Sequence, residues 1–210
     1  MPVEVRVGGD DIAATGGHYT PPIEILIVCT GNTCRSPMAE AMLRQRVAAL
    51  GVEATVSSAG LISDGQPATD SAVDTVGARG LDITGHRSRR ITPELLAGPD
   101  LIVGMAREHV REVVVVRPEL YSRTFTLKEL VRRGGELGPR AAGQPVDGWL
   151  RAAHQGRTPV QLMGSSDLDD VADPVGRGAA VYDATARELV VLVDRLVDLL
   201  WQQVASASSA

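Results

Sequence analysis

Cys29 and, six positions on, Arg35 lie in the run Val28-Cys29-Thr30-Gly31-Asn32-Thr33-Cys34-Arg35-Ser36-Pro37. A cysteine thiolate is a strong nucleophile, and helix-terminal amides and a nearby cation favour it. An arginine offers a planar fork that matches two phosphate oxygens and keeps its charge. Gly31 lets backbone approach a ligand closely. Ser36 can cap a helix or donate a hydrogen bond to the thiolate, and Pro37 suits a first helical position, where its missing N–H costs nothing. Phosphoryl transfer depends on positioning and charge stabilisation, so the segment reads as a cradle that holds a phosphate against sulfur. The leaving group still needs a proton. Asp173, in Ala172-Asp173-Pro174-Val175-Gly176, is the candidate donor on a turn stiffened by Pro174, although Asp-Pro is also a common turn initiator.

The flanking sequence supplies the elements that must hold these groups. An apolar run over about 23–28 reads as a buried strand, and a helix follows from Met38 to near Gly51. A strand, a polar turn and a helix start form an anion site, because the first helical amides lack internal partners. Val52, Ala54 and Val56 alternate as a second strand that Ser57-Ser58-Ala59-Gly60 ends. Gln66-Pro67 opens a helix that stops around Gly77 to Gly80, and 81–92 is a polar connection that contains His86. A third strand falls at 100–105. Val110, Val113 and Val114 have helical spacing, although Val113 to Val116 alone suits a strand. Phe125-Thr126-Leu127 predicts a fourth strand and Lys128 to Arg133 a helical turn.

Residues 134–170, rich in Gly, Pro, Ser and Asp, read as a long connection, either a mobile flap or a lid, with one weakly amphipathic piece at Trp149 to Ala153. Trp149 there is either a packing residue or an aromatic wall for a ligand. Ala186, Leu189, Val190, Val193, Leu196, Val197, Leu200 and Trp201 form one stripe of a final helix. Residues 1–22 read as an N-terminal extension, 23–204 as one domain carrying the 134–170 insertion, and 205–210 as a tail. Strands alternating with helices imply an α/β fold, a parallel sheet covered on both faces, with its site at the carboxyl ends of the strands.

Composition removes several alternatives. A net charge of −5 leaves no large basic surface for nucleic acid. The start of the chain lacks an apolar targeting segment, and 189–201 is interrupted by Asp194, Arg195 and Asp198, so the expectation is a cytoplasmic protein without a membrane partner. Lys128 is the only lysine, which excludes a nucleotide-binding P-loop. Cys29 and Cys34 have no second ligand pair nearby, so neither a metal nor another cofactor is expected.

The run from Cys29 to Pro37 resembles the C-x5-R-S-P loop of the low-molecular-weight protein tyrosine phosphatase family. Ser58-Ala59-Gly60, His86, Phe125-Thr126-Leu127-Lys128-Glu129 and Asp173-Pro174 extend the resemblance over about 23–204, apart from the insertion. It implies a four-stranded parallel sheet with helices on both faces, in a flavodoxin-like three-layer arrangement. It also implies a phosphorylated protein substrate and a thiophosphate intermediate on Cys29. Thr30, Gly31, Asn32, Thr33, Cys34 and Arg35 would bind phosphate. Asp173 would act as general acid and then activate water, and Asn32, Ser36, Ser58 and His86 would form a supporting network. Cys34 is either the partner of Cys29 in a reversible, protective disulfide or a small buried residue.

Thr33 and the lip at Val175 bear on the substrate. Tyrosine-specific members carry a bulky aliphatic residue at the Thr33 position, whereas the protein-arginine-phosphatase branch carries threonine, whose hydroxyl can hydrogen-bond a guanidinium. Neither Val175-Gly176 nor Leu61-Ile62 offers an aromatic ring to stack a phenyl group. Val175 departs from the arginine branch as well, where an aromatic is expected. The resemblance therefore favours phosphoarginine, with phosphotyrosine as the alternative. An arsenate reductase is a further alternative, although thioredoxin-coupled forms need more cysteines than this chain has.

Overall fold

The computed structural model describes residues 22–207; the expected extension, apart from residue 22, and positions 208–210 lie outside the described residues. Strand β1 (Ile23–Cys29) sits inside a parallel sheet with β2 (Ala54–Gly60), β3 (Leu101–Gly104) and β4 (Thr124–Thr126), in the order β2-β1-β3-β4. The run Ile25 to Val28 is apolar at every position because both faces are covered. Ile25, Ile27 and Cys29 join one core with Leu101, Val103 and Phe125, while Leu26 and Val28 join another with Ala59 and Ile102.

Helices α1 (Arg35–Leu50), α5 (Leu127–Leu137) and α7 (Ala179–Ala207) cover the first face. The short α3 (Pro93–Ala97) and α4 (Arg107–Val116) supply Leu96 and Val113 to the second. Gly51, with φ of 63°, ends α1 as the sequence predicts. Helix α2 (Asp70–Gly77) begins later than Gln66-Pro67, because the Thr69 hydroxyl accepts from the Ala72 amide and sets the start there. Val113 to Val116 are helical, continuing α4. Leu127 belongs to α5, whose cap is the Thr126 hydroxyl. The chain leaves β1 toward β2 on one side and β3 toward β4 on the other, so the loops after β1 and β3 face each other at the switch point.

The stretch expected to be a long open connection is built into the domain. Helix α5 runs through Gly134 and Gly135 to Leu137, then α6 (Val146–His154) and a 3-10 turn (Pro159–Leu162) follow. A Cβ on Gly134 would lie 2.6 Å from Leu199 Cδ1 and 3.0 Å from the Trp149 ring, so this glycine permits close packing and does not break the helix. Trp149 is buried and donates to the Gly138 carbonyl, which removes it as a wall for ligand. Arg157 makes a two-pronged bond to Glu129, at 2.8 and 2.9 Å, with its guanidinium over the Phe125 ring at 4.0 Å. Arg140 bonds the Leu199 and Leu200 carbonyls just before Trp201, where α7 leaves helical geometry. The helix continues to Ala207, into the expected tail. Among the described residues no helix is long and apolar enough to cross a membrane.

Candidate active site

Cys29 ends β1 and is 2% exposed. Its Sγ accepts from the Asn32 amide at 3.2 Å and lies 3.0 Å from Ser36 Oγ. Asn32 has φ of 51°, a left-handed conformation that asparagine tolerates better than most residues, and this curls the loop around the sulfur. The Arg89 amide donates to Asn32 Oδ1, which fixes the side-chain amide so that Nδ2 donates to Ser36 at 2.9 Å and Ser58 at 2.8 Å. Ser58 passes its own hydrogen to Glu40 at 2.6 Å. With one lone pair filled by Asn32, the Ser36 hydroxyl can donate to a thiolate on Cys29. His86 Nε2 donates to the Asn32 carbonyl at 2.6 Å, so Asn32, Ser36, Ser58 and His86 form one network under the loop.

The loop sits close to β2 because Gly60 has no side chain. A Cβ there would lie 2.8 Å from both the Asn32 nitrogen and the Thr30 oxygen. The Leu61 and Ile62 amides both donate to that Thr30 carbonyl. Helix α1 has Cys34 as its N-cap, without a side-chain cap bond. Ser36 is therefore the second helical residue and Pro37 the third, not the cap and first position. The Ser36 hydroxyl turns toward Asn32 and Cys29, and the first-turn amides of α1 carry no side chain over them. Gly31 and Thr33 are half-buried in the same loop, and the Thr33 carbonyl accepts from the Thr69 amide.

Arg35, buried at the start of α1, donates to the Val171 carbonyl, to Thr30 Oγ1 at 3.2 Å and to Asp173 Oδ2 at 2.6 Å. Asp173 is held in turn by the Val175 amide on its other oxygen. Its approach is anchored rather than loose. The Val171 amide bonds the Met105 carbonyl just beyond β3, Asp170 accepts from the first amide of α4 at Arg107, and Asp169 pairs with Arg107 and Arg132. Arg35, Glu108, Arg111, Ser165, Asp170 and Asp173 line a groove of about 350 Å³ beside the loop. At the rim, Ile62 is 68% and Val175 54% exposed.

Cys34 is a free, buried thiol, as is Cys29. Burial and the neighbouring Cys29 push the Cys34 thiol up to about 12, against the pull of a hydrogen bond with Tyr182. Cys34 is thus a neutral thiol at ordinary pH and does not compete as a nucleophile. Sequence reasoning missed Thr30 as a partner of Arg35, and missed Glu108 and His109, which contact Thr30 Oγ1 at 3.2 and 3.0 Å. The signal was available in outline: both follow β3 directly, at a strand end where sites gather. Glu40, Arg89 and Tyr182 carried no such signal.

A parallel sheet with a cysteine cradled at the end of its first strand, facing an arginine and a distant aspartate, defines an α/β protein built around an anion-holding loop. The family model described as low molecular weight phosphotyrosine protein phosphatase matches residues 24–137. The low molecular weight protein-tyrosine-phosphatase Etp of Escherichia coli (strain K12) is 38% identical over 101 residues, 48% of this chain and 66% of that relative. The protein-arginine-phosphatase of Bacillus subtilis (strain 168) is 36% identical over 179 residues, 85% of this chain and 97% of that relative. A crystal structure of the low molecular weight protein tyrosine phosphatase from T. tengcongensis, 35% identical, superposes with a TM-score of 0.65 over 85% of this chain and 99% of that one. The chain belongs to the low molecular weight phosphotyrosine protein phosphatase family and is a protein phosphatase.

Proposed function

We propose that this phosphatase hydrolyses phosphorylated protein side chains through a thiophosphate on Cys29 and prefers phosphoarginine to phosphotyrosine. The observation that carries the chemistry is the convergence of Cys29, Arg35 and Asp173 at the end of β1, with Arg35 and Asp173 paired at 2.6 Å. A phosphoryl dianion takes the Arg35 fork from the Asp173 carboxylate, which, freed from the guanidinium and facing the incoming dianion, takes up a proton from solvent and turns toward the leaving atom. Sulfur attacks phosphorus, the bond to the leaving nitrogen or oxygen breaks, and protonated Asp173 gives that atom its proton. Water then attacks the thiophosphate, Asp173 accepts the water proton, and phosphate leaves as the Cys29 thiolate is restored. The Ser36 hydroxyl stabilises the thiolate at both ends of the cycle. Cys34, buried and held as a neutral thiol, is in this reading the small buried residue of the loop and not a resolving thiol.

Three features support phosphoarginine. Thr33 puts a hydroxyl in the loop where an aliphatic side chain would suit a ring. The rim residues Ile62 and Val175 give a phenyl group nothing to stack on. Glu108 places a carboxylate in the adjoining groove, which suits a cationic guanidinium better than a neutral phenol. The arginine-phosphatase relative also aligns over more of this chain than Etp does. The test is turnover of matched phosphoarginine and phosphotyrosine peptides by wild type, Thr33→Ile and Cys29→Ser. Wild type is expected to favour phosphoarginine by about tenfold or more in kcat/KM, Thr33→Ile to move toward phosphotyrosine, and Cys29→Ser to be inactive. Equal or better wild-type turnover of phosphotyrosine overturns the substrate assignment, and an active Cys29→Ser protein overturns the nucleophile.

A further inference from the structure

His109 lies in the first turn of α4, is 0% exposed, and takes no part in the chemistry outlined above. Its Nε2 sits 3.0 Å from Thr30 Oγ1. That hydroxyl has three polar neighbours whose roles are constrained. Arg35, 3.2 Å away, can only donate, and Glu108 Oε1, also at 3.2 Å, can only accept while ionised. A hydroxyl owns one hydrogen and two lone pairs. Arg35 fills one lone pair and Glu108 receives the hydrogen, so the remaining lone pair calls for a donor, and His109 must carry its proton on Nε2. The consequence agrees with a separate observation: His109 Nδ1 is buried without a hydrogen-bond partner, and in this tautomer it is a bare lone pair. An unpaired acceptor is tolerated better in an interior than an unpaired N–H. Burial and the Arg35 charge push the ring pKa down to about 3, so the ring is neutral and its 3.3 Å approach to Glu108 is not an ion pair at ordinary pH.

Arg35 has three partners, and one of them, Asp173, must yield when a phosphoryl group arrives. The other two, the Val171 carbonyl and Thr30 Oγ1, then fix the plane of the guanidinium. We propose that His109 is a positioning residue for the phosphate clamp: its neutral Nε2–H orients the Thr30 hydroxyl, and through it the Arg35 fork. This rests on the phosphatase reading, in which Arg35 holds the phosphoryl oxygens. His109 acts from α4, joining the loop after β3 to the loop after β1.

The experiment compares wild type with His109→Leu, His109→Gln, Thr30→Val and the Thr30→Val/His109→Leu double variant. It measures kcat and KM on para-nitrophenyl phosphate, and the competitive inhibition constant of inorganic phosphate. A Gln amide nitrogen reaches the place of His Nε2 and can donate there, whereas Leu fills space without a donor. His109→Leu is expected to raise KM and the phosphate inhibition constant by roughly 5- to 10-fold, the scale of one lost hydrogen bond, with a smaller change in kcat. His109→Gln is expected to bind phosphate at least threefold more tightly than His109→Leu. Because His109 acts through Thr30, the double variant should be no worse than Thr30→Val alone. A merely structural histidine would give additive losses and no distinction between Gln and Leu at equal thermal stability, and either result overturns the inference. If His109→Leu does not fold, Thr30→Val and His109→Gln decide: a Thr30→Val protein with wild-type phosphate affinity refutes the relay. Wild type without turnover or phosphate inhibition refutes the phosphatase reading itself, which separates the two failures.

Discussion

Burying His109 as a neutral ring couples the fold to acid in a way that can be measured apart from catalysis. A histidine titrates near 6.5 in an unfolded chain and is pushed down to about 3 here, by burial first and the Arg35 charge second. Between those values the unfolded chain holds one more proton than the folded chain at this site. Stability therefore falls as pH falls, starting at about 6.5 and continuing toward the folded value. Well inside that window the slope is close to one proton, about 1.4 kcal/mol per pH unit. At about pH 5 the cost is roughly 2 kcal/mol relative to neutral pH. With a urea slope of about 2 kcal/mol/M, this moves the unfolding midpoint down by about 1 M. His154, also held low by burial and Arg157, adds to the wild-type trend. The comparison is therefore wild type against His109→Gln, which keeps the donor and removes the titration. The midpoints should separate by about 1 M more at neutral pH than at about pH 5, in favour of wild type. Parallel pH dependence in the two proteins would refute the argument that a neutral, buried imidazole sits behind the loop.

Two further outcomes follow from packing. Arg157→Ala leaves Glu129 buried beside Arg133, its remaining partner at 3.1 Å, so the loss should fall at the lower end for a broken buried pair, about 3 kcal/mol or about 6–12 °C in Tm. Calorimetry showing a shift below about 2 °C would return residues 134–170 to the status of a loose connection. Gly60→Ala forces a Cβ against the Thr30 and Asn32 backbone, and displacing that backbone should lower kcat/KM by about 10- to 100-fold. An unchanged kcat/KM on para-nitrophenyl phosphate would show that the loop has slack there.

What could be read from the sequence was whatever the chain keeps contiguous or periodic. The strand run into Cys29, the six-residue step to Arg35 and the α7 stripe are local patterns, and backbone geometry turns them into a buried strand, a loop and a helix with little help. The parallel sheet followed from the alternation of elements. Position within the loop was less legible: the start of α1 at Arg35 depends on Asn32 taking a left-handed turn, which pulls Ser36 toward the sulfur and away from capping. Gly134 misled for a related reason, since a glycine that lets Trp149 and Leu199 approach cannot be told by type from one that ends a helix. The family resemblance named Asp173, Asn32 and Ser58, but the contacts of Asp173 with Arg35 and of Ser58 with Asn32, and the approach of His109 to Thr30, came only from the tertiary structure, because each pair spans a separation that no local pattern encodes. The sequence by itself determined the nucleophile loop and the class of chemistry it suits. The tertiary structure decided which groups hold that loop in place, since hydrogen-bond partners for buried polar atoms are chosen by the fold.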